Sequence, residues 1–151
     1  MSGNTAQTAE RIAAALDADL IHIEPVKEYH TQGMKKFIWG GMSAVMGETP
    51  RLHPYRFDGD YERIIIGSPV WASNIAPPIR SFIKENREPL EGKSIAVFFC
   101  YAGGGADKAS EKLRKLLKID RFAAELVLVD PKDQPKPEDE AAITAFCEQL
   151  Q

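Results

Sequence analysis

The residues best placed for chemistry surround Trp71. Residues 63–78 read Arg-Ile-Ile-Ile-Gly-Ser-Pro-Val-Trp-Ala-Ser-Asn-Ile-Ala-Pro-Pro. Ser68, Pro69, Val70, Trp71, Ala72, Ser73 and Asn74 thus lie between a β-branched run and a proline pair that can open a helix. In an open α/β sheet, ligands bind in the crevice at the carboxyl ends of the strands. Trp71 is then either a flat wall for a ligand or a core residue beneath a loop. A second stretch, Ser2, Gly3, Asn4 and Thr5, runs straight into a helix. Outward-pointing N–H groups and the helix dipole make such a start an anion site, and the same residue types serve as plain caps. A third stretch, Tyr101, Ala102, Gly103, Gly104 and Gly105, follows an apolar run. Its glycines suit either a close backbone approach to a ligand or a flexible turn.

Those stretches need a frame. Ile64, Ile65 and Ile66 predict a short strand ended by Gly67 and covered on both faces, as in a parallel sheet. After the prolines, Ile79, Phe82 and Ile83 mark a helix that ends near Glu85 and Asn86. Ser94 to Cys100 predicts a second buried strand, and Ala109, Leu113, Leu116 and Leu117 the helix after it. Leu126 to Val129 reads as the next strand. The last helix starts near Glu138, with Ala142, Ile143, Phe146 and Leu150 apolar. At the other end, Ala9, Ile12, Ala13 and Leu16 give the first helix. Residues 20–24 follow, with Ile21 and Ile23 alternating against His22 and Glu24, as expected of an edge strand with one wetter face. Helix and strand alternate throughout, which implies an α/β fold with a parallel sheet, helices on both faces and four strands.

Between them lies a long connection, residues 26–61. Met34, Phe37, Ile38, Met42, Val45 and Met46 form a helical stripe read as core packing, interrupted at Gly40 and Gly41 beside Trp39. Asp58, Asp60 and Glu62 read as a solvated acidic face. The chain of 151 residues is long enough for one domain spanning 1–151. A net charge of −3 and no basic stripe argue against nucleic acid. Cys100 and Cys147 offer neither a disulfide framework nor metal-ligand spacing, and Cys100 reads as an inert core thiol. No apolar run spans a membrane and no signal peptide is visible, so the expected compartment is cytoplasmic.

Taken together, the three stretches resemble the flavodoxin family of FMN proteins. Residues 2–5 look like the end of that family's phosphate loop. Gly67, Ser68, Pro69, Val70 and Trp71 with Pro77 and Pro78 are similar to the flavin-flanking loop of short bacterial members. Tyr101 with its glycines resembles the second flavin loop. The segment Trp39-Gly40-Gly41 is also similar to that subgroup. The resemblance implies a flavodoxin-like three-layer α/β/α fold. It implies FMN, with Ser2, Asn4 and Thr5 at the phosphate and Trp71 and Tyr101 over the ring faces. Backbone groups at Ala72, Ser73, Ala102 and Gly103 would meet the ring's polar edge. The cofactor then carries the redox chemistry and no catalytic side chain is required.

Two departures stand out. The family begins with a strand that feeds the phosphate loop, and residues 20–24 resemble its second strand. In the order 2-1-3-4-5 the absent strand would lie inside the sheet. Either an upstream start supplies it, the remaining strands close up, or another chain fills the gap; an upstream start is the reading preferred. In addition, Ser73 stands where related loops often carry Gly, and a positive φ costs Ser more. The resemblance implies an electron-transfer flavoprotein with a reductase or ferredoxin-like partner. The alternatives are an NAD(P)H:quinone-type oxidoreductase with a small-molecule acceptor, and a flavin-free binding or structural module.

Overall fold

The computed structural model describes residues 3–27, 42, 46–58 and 60–151. Helix α1 (Asn4–Leu16) opens it. Strand β1 (Arg63–Trp71) turns back into β2 (Asn74–Ile75), and α2 (Pro77–Glu85) and the short α3 (Arg87–Leu90) follow. Then come β3 (Ser94–Tyr101), α4 (Ala106–Leu117), β4 (Glu125–Val129) and α5 (Pro137–Glu148). The sheet order is β2-β1-β3-β4. β1 pairs parallel with β3 from Arg63 opposite Ser94 to Pro69 opposite Cys100, and β3 pairs parallel with β4.

Strand periodicity sorts the side chains into two cores. Ala96, Phe98 and Cys100 of β3 face one side with Leu126 and Leu128, where Ile12 of α1 and Ile143 and Phe146 of α5 cover them. Ile95, Val97 and Phe99 face the other, beneath Phe82 and Ile83 of α2 and Ala109 and Leu113 of α4. That is the expected three-layer α/β/α arrangement around a sheet apolar on both faces. Pro77 begins α2, where its missing N–H costs no intrahelical bond.

Several expectations need correction. β1 does not stop at Gly67 but runs on to Trp71. Gly67 is there for packing: a Cβ on it would run into the Phe98 ring. Pro69 is tolerated because, among the described residues, β1 has an open edge along this part of its length. The sheet has four strands, but the fourth is the antiparallel two-residue β2, pairing Val70 with Ile75 and Trp71 with Asn74. Residues 20–24 form no ladder. Their neighbourhood is held by a single bridge of Pro25 with Leu52, through His53 N–H to Glu24 O at 2.9 Å and Val26 N–H to Arg51 O at 2.9 Å. The alternation is nonetheless real, since Ile21 and Ile23 are half-buried while His22 and Glu24 are exposed. Residues 20–24 stand across a cleft from the β1 edge at residues 63–69, which has no strand beside it among the described residues.

Of the methionine stripe, Met42 and Met46 are exposed at 51% and 71% instead of packing in the core. The sheet face is already covered by α2, and the turn containing Glu48 rides on α2's polar Arg80 instead (Nη1 to Glu48 O, 3.4 Å). Met34, Phe37, Ile38, Trp39, Gly40, Gly41 and Val45 lie outside the described residues, as does Ser2. Asp58, Asp60 and Glu62 are exposed, Asp58 pairing with Arg56 at 3.0 Å, as a solvated acidic face should be. Among the described residues, no helix is long and apolar enough to cross a membrane.

Candidate functional site

The carboxyl ends of β1 and β3 open into a cleft of about 2020 Å³. It is larger than the roughly 300–1,000 Å³ of a small-ligand pocket, because the mouth at the strand ends joins the furrow along the open β1 edge. The mouth gathers the three stretches singled out from sequence. Gly3, Asn4 and Thr5 line it from α1, Pro69 to Ser73 from the end of β1, and Tyr101 to Gly105 from the end of β3. Trp71 and Tyr101 are the last residues of their strands, are half-buried and line the cleft.

Two helices begin at this mouth with a left-handed glycine and no side-chain cap. Gly3 (φ 79°) precedes α1 and Gly105 (φ 89°) precedes α4. Only glycine takes these angles without strain. Of the capping candidates Ser2, Asn4 and Thr5, Ser2 lies outside the described residues, and neither Asn4 nor Thr5 caps the helix. Asn4, only 6% exposed, is turned toward residues 130–133 instead. Its Oδ1 accepts the Lys132 N–H at 2.7 Å, and its Nδ2 reaches Asp130 Oδ1 and Asp133 Oδ2, both at 3.4 Å. Among the described residues the start of α1 has no side-chain cap, and its dipole suits an anion.

The β1–β2 turn is strained. Ala72 and Ser73 have φ of 46° and 59°, a left-handed pair between the paired Trp71 and Asn74. This is the mirror-image hairpin turn that usually takes Asn-Gly. It is clamped from α4: Lys112 Nζ donates to Ser73 O at 3.1 Å and to Asn74 Oδ1 at 2.9 Å, while Asn74 Nδ2 donates to Ala72 O at 2.7 Å. A Cβ on Gly105 would strike the Ser73 side chain, so the two loops touch.

Ser68 and Asn74 do not line the cleft. Ser68 is fully buried; Ala76 N–H donates to its Oγ at 3.0 Å, and its hydroxyl donates to Pro69 O at 2.9 Å, tying the strand end to the start of α2. Cys100 is buried against Thr8, Sγ to Oγ1 3.7 Å, and burial pushes its thiol pKa up. It is a core thiol, as the sequence implies.

Sequence reasoning gave residues 130–133 no part in the site. Asp130 and Asp133 line the cleft, and Asp130 N–H donates to Tyr101 O at 3.0 Å. The available signal was position: Asp130 directly follows β4, at the same carboxyl end of the sheet.

The arrangement can hold a planar molecule with an anionic tail: half-buried aromatics, backbone amides at two glycine turns, and an uncapped helix N-terminus share one mouth. No curated protein matches the chain. Among solved structures, it is similar to a flavoprotein in complex with FMN from Lactobacillus acidophilus. The identity is 22%, the TM-score 0.69, and the match covers 93% of this chain and 91% of that one. It is also similar to a candidate flavoprotein from Bacteroides eggerthii (21% identity, TM-score 0.71, 97% and 89% covered). A third, from Bacteroides uniformis, matches at 22% identity and a TM-score of 0.68, with 85% and 84% covered. These likenesses show the fold. The flavodoxin domain family matches residues 56–133, just over half of the chain and including β1, the strained turn, β3 and the glycine loop. The chain belongs to the flavodoxin domain family.

Proposed function

We propose that this protein binds FMN and works as an electron-transfer flavoprotein. One observation carries the reading: three loops that are far apart in sequence meet at one cleft with donors and walls that suit that cofactor. The uncapped α1 N-terminus suits the phosphate. Trp71 and Tyr101 suit the faces of the isoalloxazine ring, where stacking adds roughly 0.5–1.5 kcal/mol per pair beyond area burial. The clamped Ala72–Ser73 turn and Ala102 and Gly103 present backbone groups toward the ring's polar edge.

FMN, when bound, supplies the one- and two-electron chemistry. The chain's own part is to orient the ring, exclude water from its faces through Trp71 and Tyr101, and fix the Ser73 carbonyl through Lys112. No side chain has to act as acid, base or nucleophile. A reductase or ferredoxin-like protein would dock transiently at the exposed flavin edge, in the cytoplasm.

The test is a titration of the purified chain with FMN, followed by visible absorbance and flavin fluorescence. Saturable quenching with a shifted flavin spectrum supports the reading; a free-flavin spectrum at every concentration ends it. Steady-state oxidation of NAD(P)H by the loaded protein alone would replace the carrier role with that of an oxidoreductase.

A further inference from the structure

Charge is unevenly spread along this chain. Residues 107–121 hold six of its 19 Lys and Arg and three of its 22 Asp and Glu, although the net charge is −3. Most of these cations lie on α4. Lys108, Lys112 and Lys115, at i, i+4 and i+7, share one exposed face of that helix. Arg114 and Lys115 stand in the last turn, where the helix dipole favours cations. Lys108 stands in the first turn, where the dipole favours its neighbour Asp107 and disfavours a cation. Helix stability does not account for Lys108.

The uncancelled charge sits at the cleft end of this face. Lys115 is neutralised by Glu111 at 2.6 Å. Lys112 donates to two neutral oxygens, Ser73 O at 3.1 Å and Asn74 Oδ1 at 2.9 Å, so its ammonium is held at the β1–β2 turn with its charge intact. Lys108, one turn nearer the glycine loop, has no carboxylate partner among the described residues. The rim between this face and the cleft is low. Ala102, Gly103 and Gly104 are exposed, and a Cβ added at Gly103 or Gly104 would meet nothing within 4 Å. On the α1 side of the mouth the sign reverses, where Asp130 and Asp133 line the cleft beside Asn4.

We propose that residues 102–105 and the Lys108–Lys112 face of α4 form the docking surface for a protein partner whose own contact face is acidic. What is exchanged there rests on the electron-transfer reading; the docking itself does not. Partner carboxylates are drawn to α4 and repelled from the Asp130 side, which selects one orientation of approach. The low glycine rim then lets the partner come close to whatever the cleft holds. Asp107, Glu111 and Asp120 stand among the cations, which favours a protein of mixed charge over an unbroken polyanion such as nucleic acid.

The test titrates the full chain, labelled with nitrogen-15, at low salt with hexacyanochromate(III). This inert paramagnetic trianion stands in for the partner's carboxylates, and hexaamminechromium(III) is the cationic control. The anion should broaden the amide signals of residues 103–112 first, and the cation should not. Lys108→Glu should abolish that broadening and Lys108→Arg should keep it. Glutamate in a first turn suits the dipole, so this variant stays folded. Lys84→Glu makes the same change of net charge in the last turn of α2 and should leave the broadening in place. A hexaglutamate peptide should displace the trianion from α4. On flavin-loaded protein, the reduced flavin gives its two electrons to two ferricyanide ions. That rate should fall as salt rises, and at low salt should be roughly tenfold lower in Lys108→Glu. If the chain takes no flavin but the trianion still gathers on α4 through Lys108, the FMN reading falls and the docking surface stands. The proposal is overturned if the trianion spares α4 or broadens it equally in Lys108→Glu. It is equally overturned if ferricyanide reacts faster with rising salt, as the net charge alone would dictate, or if a short DNA duplex displaces the trianion better than hexaglutamate does.

Discussion

Replacing Ser73 with glycine should make this protein more stable, although the change deletes atoms next to the candidate site. Ser73 sits at φ 59°, directly after Ala72 at φ 46°. An L-residue held in the left-handed region costs roughly 1–2 kcal/mol against its right-handed alternative. Glycine removes that cost but brings more backbone freedom in the unfolded chain, which offsets roughly 0.5–1 kcal/mol. The Lys112 anchor is unaffected because it binds the Ser73 carbonyl, not the side chain. The net gain is about 0.5–1 kcal/mol, which raises Tm by about 1–4 °C at this chain length. Thermal and urea denaturation of flavin-free protein followed by circular dichroism measure it, with Ser73→Ala as control. Alanine keeps the Cβ at positive φ and should show no gain. A second arm uses the contact across the loops. Gly105→Ala drives a Cβ into the Ser73 side chain, whose Cβ lies 3.1 Å from the new atom. Its penalty should shrink in the Ser73→Gly background, and a double-mutant cycle reads that coupling. A Ser73→Gly protein that melts no higher than Ser73→Ala would refute the claim that this turn is strained.

Three further outcomes are expected. Gly67→Ala pushes a methyl into the Phe98 ring and should cost about 1–3 kcal/mol as overpacking, measurable by urea denaturation and partly relieved by Phe98→Leu. Trp71→Ala should weaken FMN binding roughly tenfold through lost stacking and burial, read by fluorescence titration; unchanged affinity would remove Trp71 from the flavin wall. Burial raises the thiol pKa of both Cys100 and Cys147. Each therefore favours the neutral thiol in the fold, and its stability contribution is complete below the free-thiol pKa of about 8.5. It is lost as pH rises through the higher folded value, so Cys100→Ala should flatten the alkaline fall in stability measured by urea denaturation between neutral pH and the high-alkaline limb.

The buried strands were legible because their composition leaves little competition. Ile64, Ile65 and Ile66 and the run of β3 are apolar on both faces, and only a doubly covered strand satisfies them. The start of α2 was legible from Pro77 and Pro78. β2 was not, because its hairpin turn is Ala72-Ser73 instead of the Asn-Gly that signals such a turn. Gly67 read as a terminator because the reason for it, the Phe98 ring, lies on a different strand. Residues 130–133 drew no attention, since the contact that ties them to the cleft is made with Asn4, 128 positions away from Lys132. Local pattern reveals where apolar groups must hide; it is blind to pairings made only by the assembled fold.

The open edge of β1 shows the same limit from the other direction. Ile21 and Ile23 alternate as a strand's residues do, and Ile23 packs into the core beneath α2 and α4. Alternation fixes which side chains face inward; a ladder also needs a partner one strand spacing away, about 4.8 Å. Here the chain leaves α1 at the amino end of β1, where Asp19 accepts the Tyr61 hydroxyl at 2.8 Å, and continues along the far wall of the cleft to the bridge of Pro25 with Leu52. α1 with Ile12 covers one face of the sheet and α2 with Phe82 the other. Among the described residues, an apolar alternation and an unpaired edge thus coexist without meeting, and both line the same cleft as Gly3, Trp71 and Tyr101.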